Sequence, residues 1–142
     1  MLIIDSNIWA YYFDEEAREH PHITGPVEEA LTSEKIAINT VIMIEVAHFL
    51  IKNLGPILGK EKLSFFLGFP FTVIDLDYDL TLKAIDLLAR YSQTGIGGRD
   101  ATILATAEAT GTNRIMTHDE AFKRVSGLDI IDPIPQDAEP KH

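Results

Sequence analysis

The chain begins with Met1-Leu2-Ile3-Ile4-Asp5, a short apolar run that ends at a carboxylate. A run of this length and composition predicts a buried β-strand. Similar runs recur along the chain at 36–38, 71–74, 114–117 and 129–131. Segments with helical periodicity separate them. This alternation predicts an α/β fold, in which a parallel, about five-stranded sheet is flanked by helices on both faces.

The helices are predicted from their apolar periodicity and from residues that favour helix ends. Thr40 is placed to cap a helix that ends near Asn53 and Gly55, and Asp77 is placed to cap a longer one. The predicted helices cover 8–13, 21–34, 41–52, 57–67, 77–91, 100–109 and 120–125. A single domain is expected over 1–132, and the proline-containing segment 133–142 is expected to form a flexible C-terminal tail.

Length and composition fit one globular domain and exclude several classes of protein. The 142 residues are 46% hydrophobic and 24% charged, which supports a packed core and excludes a disordered chain. The lack of cysteine excludes disulfides and thiolate metal sites, and it agrees with a cytoplasmic location. The apolar segment 41–51 is interrupted by Glu45 and His48 and is shorter than the roughly 20 residues that cross a bilayer, so no membrane association is expected. The net charge of −10 argues against a surface that binds nucleic acid over a wide area.

Four acidic residues stand at strand ends or among apolar helical residues: Asp5, Glu45, Asp100 and Asp119. Taken singly, the three aspartates are also placed to cap or begin helices, and Glu45 has an alternative place on a narrow solvent-facing stripe. Taken together, they favour one shared site, because the ligand sites of parallel sheets form beyond the carboxyl ends of the strands. Clustered carboxylates supply the oxygen ligands that Mg²⁺ and Mn²⁺ prefer.

Four motifs contain these acids: Asp5-Ser6-Asn7, Ile44-Glu45-Val46, Arg99-Asp100-Ala101-Thr102-Ile103-Leu104-Ala105-Thr106-Ala107 and Thr117-His118-Asp119-Glu120-Ala121-Phe122. In this order, over roughly 1–131, they resemble the motifs of PIN-domain ribonucleases, and especially those of VapC-like toxins. The resemblance implies that the four acids are catalytic residues and ligands of Mg²⁺ or Mn²⁺. It also implies that Asn7 orients Asp5 and that Thr117 supports the ligands through hydrogen bonds.

The activity implied by this resemblance is metal-dependent hydrolysis of RNA phosphodiester bonds, which leaves a 5′-phosphate. The protein would then be the toxin of a toxin–antitoxin pair, with RNA as its substrate and with an antitoxin and a second copy of the chain as partners. Phe65, Phe66 and Phe69 exceed the apolar residues that a small core needs and are candidates for these interfaces. Arg99 and Lys52 are candidates for contacts with RNA phosphates.

Two other functions are compatible with parts of the sequence. A PIN-like scaffold without activity would bind RNA or protein only, although the presence of all four acids disfavours it. The Asp5-Ser6-Asn7 motif after the first strand also resembles haloacid-dehalogenase-like phosphatases, but those need a second aspartate where Asn7 stands. The roles of His48 and His118 stay open at this point.

Overall fold

The computed structural model describes residues 1–136, and within them the strands form one parallel five-stranded sheet. The strands are β1 (Leu2–Ile4), β2 (Ile36–Asn39), β3 (Thr72–Ile74), β4 (Arg114–Met116) and β5 (Asp129–Ile131). Their order across the sheet is β3-β2-β1-β4-β5. The predicted fold, a parallel α/β sheet of about five strands, is confirmed.

The central strands are covered on both faces of the sheet. Every residue of β1 and β2 is buried, and consecutive residues of a strand point to opposite faces. The strands β3 and β5 lie at the edges of the sheet and are more exposed. Helices therefore have to pack on both sides of the centre, as parallel sheets require.

The chain forms helices between the strands and after β4. They are α1 (Ser6–Phe13), α2 (His20–Ser33), α3 (Thr40–Leu67), α4 (Tyr78–Arg90), α5 (Gly98–Thr110) and α6 (Glu120–Lys123). Helix α1 packs against α2 and α3, whereas α4 packs against α5. The acidic candidates therefore lie on elements that the core holds in fixed positions.

An aromatic cluster holds α1 against the end of α3. Trp9 is fully buried, and its indole N–H donates to the carbonyl of Ile4 at 3.2 Å. The centroid of its ring system lies 5.2 Å from that of Phe66 and 5.7 Å from that of Phe69. Phe66, expected as an interface candidate, is therefore a core residue, while Phe65 is 60% exposed.

Helix α3 is kinked at Gly55, whose φ of +84° and ψ of 167° are not helical. By length and composition α3 is apolar enough to cross a membrane, but the kink divides it into two shorter helices. The halves approach closely, because a Cβ on Gly59 would lie 2.6 Å from the carbonyl oxygen of Leu50. The two helices predicted on either side of Gly55 are thus present.

The cap of α3 differs from the prediction. Asn39, not Thr40, is the N-cap, and its side chain accepts from the Ile42 N–H at 2.8 Å. Thr40 instead accepts from the Leu76 N–H at 3.0 Å. Strand β2 extends one residue beyond its apolar run and ends at Asn39. The capping position is therefore taken by the buried amide of Asn39, one residue before the predicted Thr40.

The packed region reaches beyond the last strand. Ile134 is 3% exposed, and its N–H donates to Asp132 at 3.0 Å. Residues 137–142 lie outside the described residues, so the flexible tail expected over 133–142 stays a prediction.

Candidate active site

The acidic candidates gather where the order of strands changes direction. From β1 the chain continues to β2 and β3 on one side, whereas β4 and β5 lie on the other. Asp5 follows β1 and Thr117 follows β4, so both stand at the switch point where parallel sheets bind ligands. The Thr117 hydroxyl donates to Asp5 Oδ2 at 2.8 Å.

Asp5 is the most deeply buried of the four acids. Its side chain has no exposed surface, and its Oδ1 accepts from the Ser6 N–H at 2.6 Å, which caps α1. Burial raises the pKa of Asp5 above its usual value, although Arg99, Thr117 and Ser6 oppose the shift. A buried carboxylate at this position needs a cationic partner.

That partner is Arg99, in the first turn of α5. Its Nη2 pairs with Asp5 Oδ1 and also donates to Ser6 Oγ at 2.8 Å. Its Nε lies 2.6 Å from both carboxylate oxygens of Glu45, and its Nη1 lies 2.6 Å from Asp100 Oδ1. One guanidinium therefore joins acids from three separate segments of the chain.

Asp100 lies in the first turn of α5 but does not begin it. The helix begins at Gly98, and Asp100 Oδ2 accepts from the N–H of Gly97, the N-cap residue, at 3.2 Å. Burial raises the pKa of Asp100, and the carboxylates of Asp119 and Asp5 add to the increase, while the Gly97 N–H and Arg99 oppose it. The environment of Asp100 is thus rich in negative charge.

Asp119 completes the group of four. It caps α6, and its Oδ1 accepts from the Ala121 N–H at 3.0 Å. Its backbone N–H donates to Thr117 Oγ1 at 3.1 Å, so Thr117 links Asp119 to Asp5. Its negative charge also raises the pKa of Asp100.

Asn7 and Ser6 hold the surroundings of Asp5. The side-chain nitrogen of Asn7 lies 3.5 Å from Thr117 Oγ1, and its Oδ1 lies 3.5 Å from the backbone nitrogen of His118. Asn7 therefore reaches Asp5 through Thr117 rather than directly. Ser6 had no predicted role, yet its hydroxyl lies 3.3 Å from Glu45 Oε1 and contacts Arg99. Its position directly after Asp5 was the available signal.

The acids fit a hard divalent cation by their chemistry. Carboxylate oxygens of Asp5, Glu45 and Asp100 all lie within hydrogen-bond distance of one guanidinium, and such oxygens are the ligands that Mg²⁺ and Mn²⁺ prefer. Within residues 1–136, no three acidic or imidazole side chains are gathered closely enough to hold a metal ion as they stand. The guanidinium of Arg99 lies between the acids.

A groove of about 490 Å³ opens beside the acids, between α1 and α3. Residues of both helices and Arg99 line it; those relevant to a charged ligand are Asn7, Glu45, His48, Lys52, Asn53 and Arg99. Lys52 and His48 are exposed there. The groove thus contains the carboxylate of Glu45 and both predicted RNA-contact residues.

A second polar cluster includes His118, the residue before Asp119. Asp132 accepts from Lys123 Nζ at 2.8 Å and contacts His118 Nδ1 at 2.9 Å. Burial raises the pKa of Asp132, but the hydrogen bonds from Lys123 and His118 outweigh burial, and the net pKa is lowered. His118 is thus held by α1 and by the segment after β5, which the sequence did not reveal.

Comparison with known proteins identifies relatives at the level of family and fold. The family model described as PIN domain matches residues 2–128. None of the curated proteins compared with the chain matches it.

Several solved structures of similar fold are toxins or toxin–antitoxin complexes. VapC20 of Mycobacterium tuberculosis, a toxin that cleaves the sarcin-ricin loop, superimposes with a TM-score of 0.74 at 17% identity, covering 91% of this chain and 97% of that one. VapBC2 of Rickettsia felis, bound to a promoter DNA fragment, gives 0.72 at 23% identity with 92% and 96% coverage. A toxin–antitoxin complex of Klebsiella pneumoniae gives 0.69 at 21% identity with 94% and 98% coverage. At these identities the likeness establishes the fold.

Proposed function

The chain belongs to the PIN domain family, and from this premise we propose that it is a metal-dependent endoribonuclease that acts as the toxin of a toxin–antitoxin pair. The observation that carries the proposal is the convergence of Asp5, Glu45 and Asp100 on one point at the switch of the sheet, with Asp119 beside them. Membership of the PIN domain family also argues against the alternative of a haloacid-dehalogenase-like phosphatase.

The proposed cofactor is Mg²⁺ or Mn²⁺, held by Asp5, Glu45, Asp100 and Asp119. A divalent ion at such a site neutralises charge on the phosphate and activates a water molecule for attack on phosphorus. The chain's own residues place the ligands. Thr117 fixes Asp5 through its hydroxyl, and the Gly97 N–H fixes Asp100 through its second oxygen. Hydrogen bonds of this kind set the orientation of carboxylate ligands.

The helix that carries Asp100 is itself positioned by a buried amide. Asn39 caps α3, which carries Glu45, and it also donates to the hydroxyls of Thr102 and Thr106 on α5 at 3.2 and 3.1 Å. It is fully buried. Asn39 therefore ties the helices of two proposed ligands together.

The proposed substrate is RNA, bound in the groove between α1 and α3 with Lys52 and Arg99 near its phosphates. The proposed partners are an antitoxin protein and a second copy of the chain, and the proposed location is the cytoplasm. Apolar side chains support an interface along α3, since Ile57 is 87% and Phe65 60% exposed. Complexes of toxin and antitoxin among the structures of similar fold support the first of these partners.

The test is cleavage of a short labelled RNA with Mg²⁺ or Mn²⁺ by the parent and by Asp5→Asn and Asp100→Asn variants. Each variant is expected to lose about a hundredfold or more in kcat/KM, because each removes a negatively charged ligand. Asp86→Asn on the exposed side of α4 makes the same chemical change away from the site and should cleave like the parent.

Two results would contradict the proposal. Cleavage by Asp5→Asn and Asp100→Asn at the parent's rate would show that the acids do not carry the activity. RNA that is bound but not cleaved by the parent, with either metal ion, would favour the alternative of a PIN-like module that only binds.

A further inference from the structure

Arg99 occupies the position at which the proposed cation would meet its ligands. Its guanidinium contacts Asp5, Glu45 and Asp100 and thereby satisfies three of the four acids. A planar group with several N–H donors suits this role, because it can pair with carboxylates on different sides at once. As long as the guanidinium stays there, the carboxylate oxygens that it contacts are paired with its nitrogen atoms.

The same contacts leave the site short of positive charge. One guanidinium contacts the carboxylates of Asp5, Glu45 and Asp100, and Asp119 adds a further negative charge that raises the pKa of Asp100. A divalent ion carries twice the charge in a smaller volume and takes carboxylate oxygens as ligands, directly or through bound water. The cation and the guanidinium therefore compete for the same oxygens.

The surroundings of Arg99 allow it to leave. Its side chain is 30% exposed, and it lines the groove that also contains Lys52, His48 and Asn53. Rotation about its side-chain bonds would move the guanidinium into this groove without any movement of α5. There it would stand beside Lys52, in the place proposed for the RNA phosphates.

We infer that Arg99 is a reversible occupant of the cation site: it holds the three carboxylates together in the metal-free protein and moves into the α1–α3 groove when a divalent cation binds. The inference rests on the proposed function in that it uses the same acids. It adds that a residue of this chain pairs with the carboxylates in the metal-free protein, and that Arg99 contacts substrate only after the cation is bound.

The first test is calorimetric titration of Mn²⁺ into the full chain without RNA. Arg99→Ala is expected to bind Mn²⁺ about tenfold or more tightly than the parent, because no charge-assisted hydrogen bonds have to be broken. Arg99→Lys keeps the positive charge but cannot span three carboxylates. Its Mn²⁺ affinity should therefore lie between that of the parent and that of Arg99→Ala.

The matched control is Arg114→Ala. Arg114 pairs with Glu34 and, at 3.7 Å, with Asp129, both away from the acids, and its loss changes the net charge by the same amount. Its Mn²⁺ affinity should equal that of the parent. Equal or weaker binding by Arg99→Ala would overturn the inference, and so would tighter binding by both alanine variants.

The second test follows the parent protein during the titration, and the Arg99→Lys variant serves only to assign the signal. The Nε–H resonance of Arg99, identified by its absence in Arg99→Lys, is expected to shift and to exchange faster with water as Mg²⁺ is added. A resonance unchanged at saturating Mg²⁺ would overturn the inference. Because neither test contains RNA, their outcome is separate from that of the cleavage assay.

Discussion

Asp5 combines two roles that a sequence presents as alternatives. It caps α1 through the Ser6 N–H, and it also faces Arg99 at the proposed cation site. Asp119 likewise caps α6 while it stands beside Asp100. In a parallel sheet the carboxyl end of a strand leads directly into the next helix, so a capping residue stands at the edge where sites form. Capping therefore does not count against a catalytic role here.

Asp132 offers a test of electrostatics at a single residue outside the acidic site. It is bonded to Lys123 and His118, and Asp132→Asn is expected to reduce the free energy of unfolding by about 1 kcal/mol at neutral pH, since charge-assisted hydrogen bonds are lost. Its pKa is lowered in the folded protein from 3.8, so its stabilising effect is present above that value and is lost as the pH falls through the folded pKa.

Denaturant unfolding of parent and Asp132→Asn between pH 6 and pH 2 measures this effect. The difference in stability should stay constant down to about pH 4 and close below it. Glu120→Gln is a useful control, because Glu120 pairs with the same Lys123 at 2.7 Å but is exposed. A difference that persists at pH 2 would show that the charge of Asp132 is not its source.

Single residues also show what the sequence could and could not reveal about the site. The gathering of Asp5, Glu45 and Asp100 could be predicted because strand ends and an acid among apolar residues are visible in the sequence, while the role of the four acids as ligands stays a prediction. The position of Arg99 could not, since an arginine next to Asp100 reaches Glu45 and Asp5 only through the packing of α5 against the sheet. The contact of His118 with Asp132 likewise depends on how two chain segments meet.

At the scale of elements, the fold of α3 depends on one close approach. A Cβ on Gly59 would lie 2.6 Å from Leu50 O and 2.7 Å from Ile51 Cα, both backbone atoms that cannot rotate away. We expect Gly59→Ala to lower the free energy of unfolding by about 1–3 kcal/mol, because overpacking forces the two halves of α3 apart. Helix propensity alone predicts the opposite sign, a gain of roughly 0.5–1 kcal/mol.

Thermal or urea unfolding decides between these signs. Gly98→Ala is the control, because its added Cβ meets no atom within 4 Å in the first turn of α5. That variant should unfold within a few tenths of a kcal/mol of the parent. A Gly59→Ala protein as stable as the parent would mean that the halves of α3 are not in close contact.

The elements themselves were predictable because their signals are local. Apolar runs gave the strands to within about a residue, and Gly55 and Asp77 marked helix ends correctly. The predicted cap of α3 was wrong by one residue. Asn39 caps the helix instead of Thr40, because its buried side-chain amide also donates to Thr102 and Thr106 on α5. The order of strands and helices along the chain could thus be predicted from the sequence. The contacts between these elements could be seen only in the structure.

At the scale of the whole molecule, the net charge of −10 limits how the proposed RNA substrate can be bound. Acids crowd the surface where α4 begins, and Asp75, Asp77, Asp79 and Asp86 line one pocket there. Such a surface repels phosphates, and affinity from counterion release needs cationic side chains in contact with the RNA. We therefore expect positive charge to affect RNA affinity at the groove between α1 and α3 and to have little effect elsewhere.

Two lysines allow this to be tested with the same change of charge. Lys52→Ala removes a cation from the groove and should raise KM for RNA about two- to fivefold, as expected for one exposed ion pair worth up to about 1 kcal/mol. Lys83→Ala removes a cation that pairs with Glu108 at 3.1 Å on the acidic side, and KM should not change. Initial rates with Mn²⁺ at fixed ionic strength measure both. Equal increases in KM for the two variants, or tight binding of RNA by the parent in a chelator, would mean that the general surface holds RNA in spite of its charge.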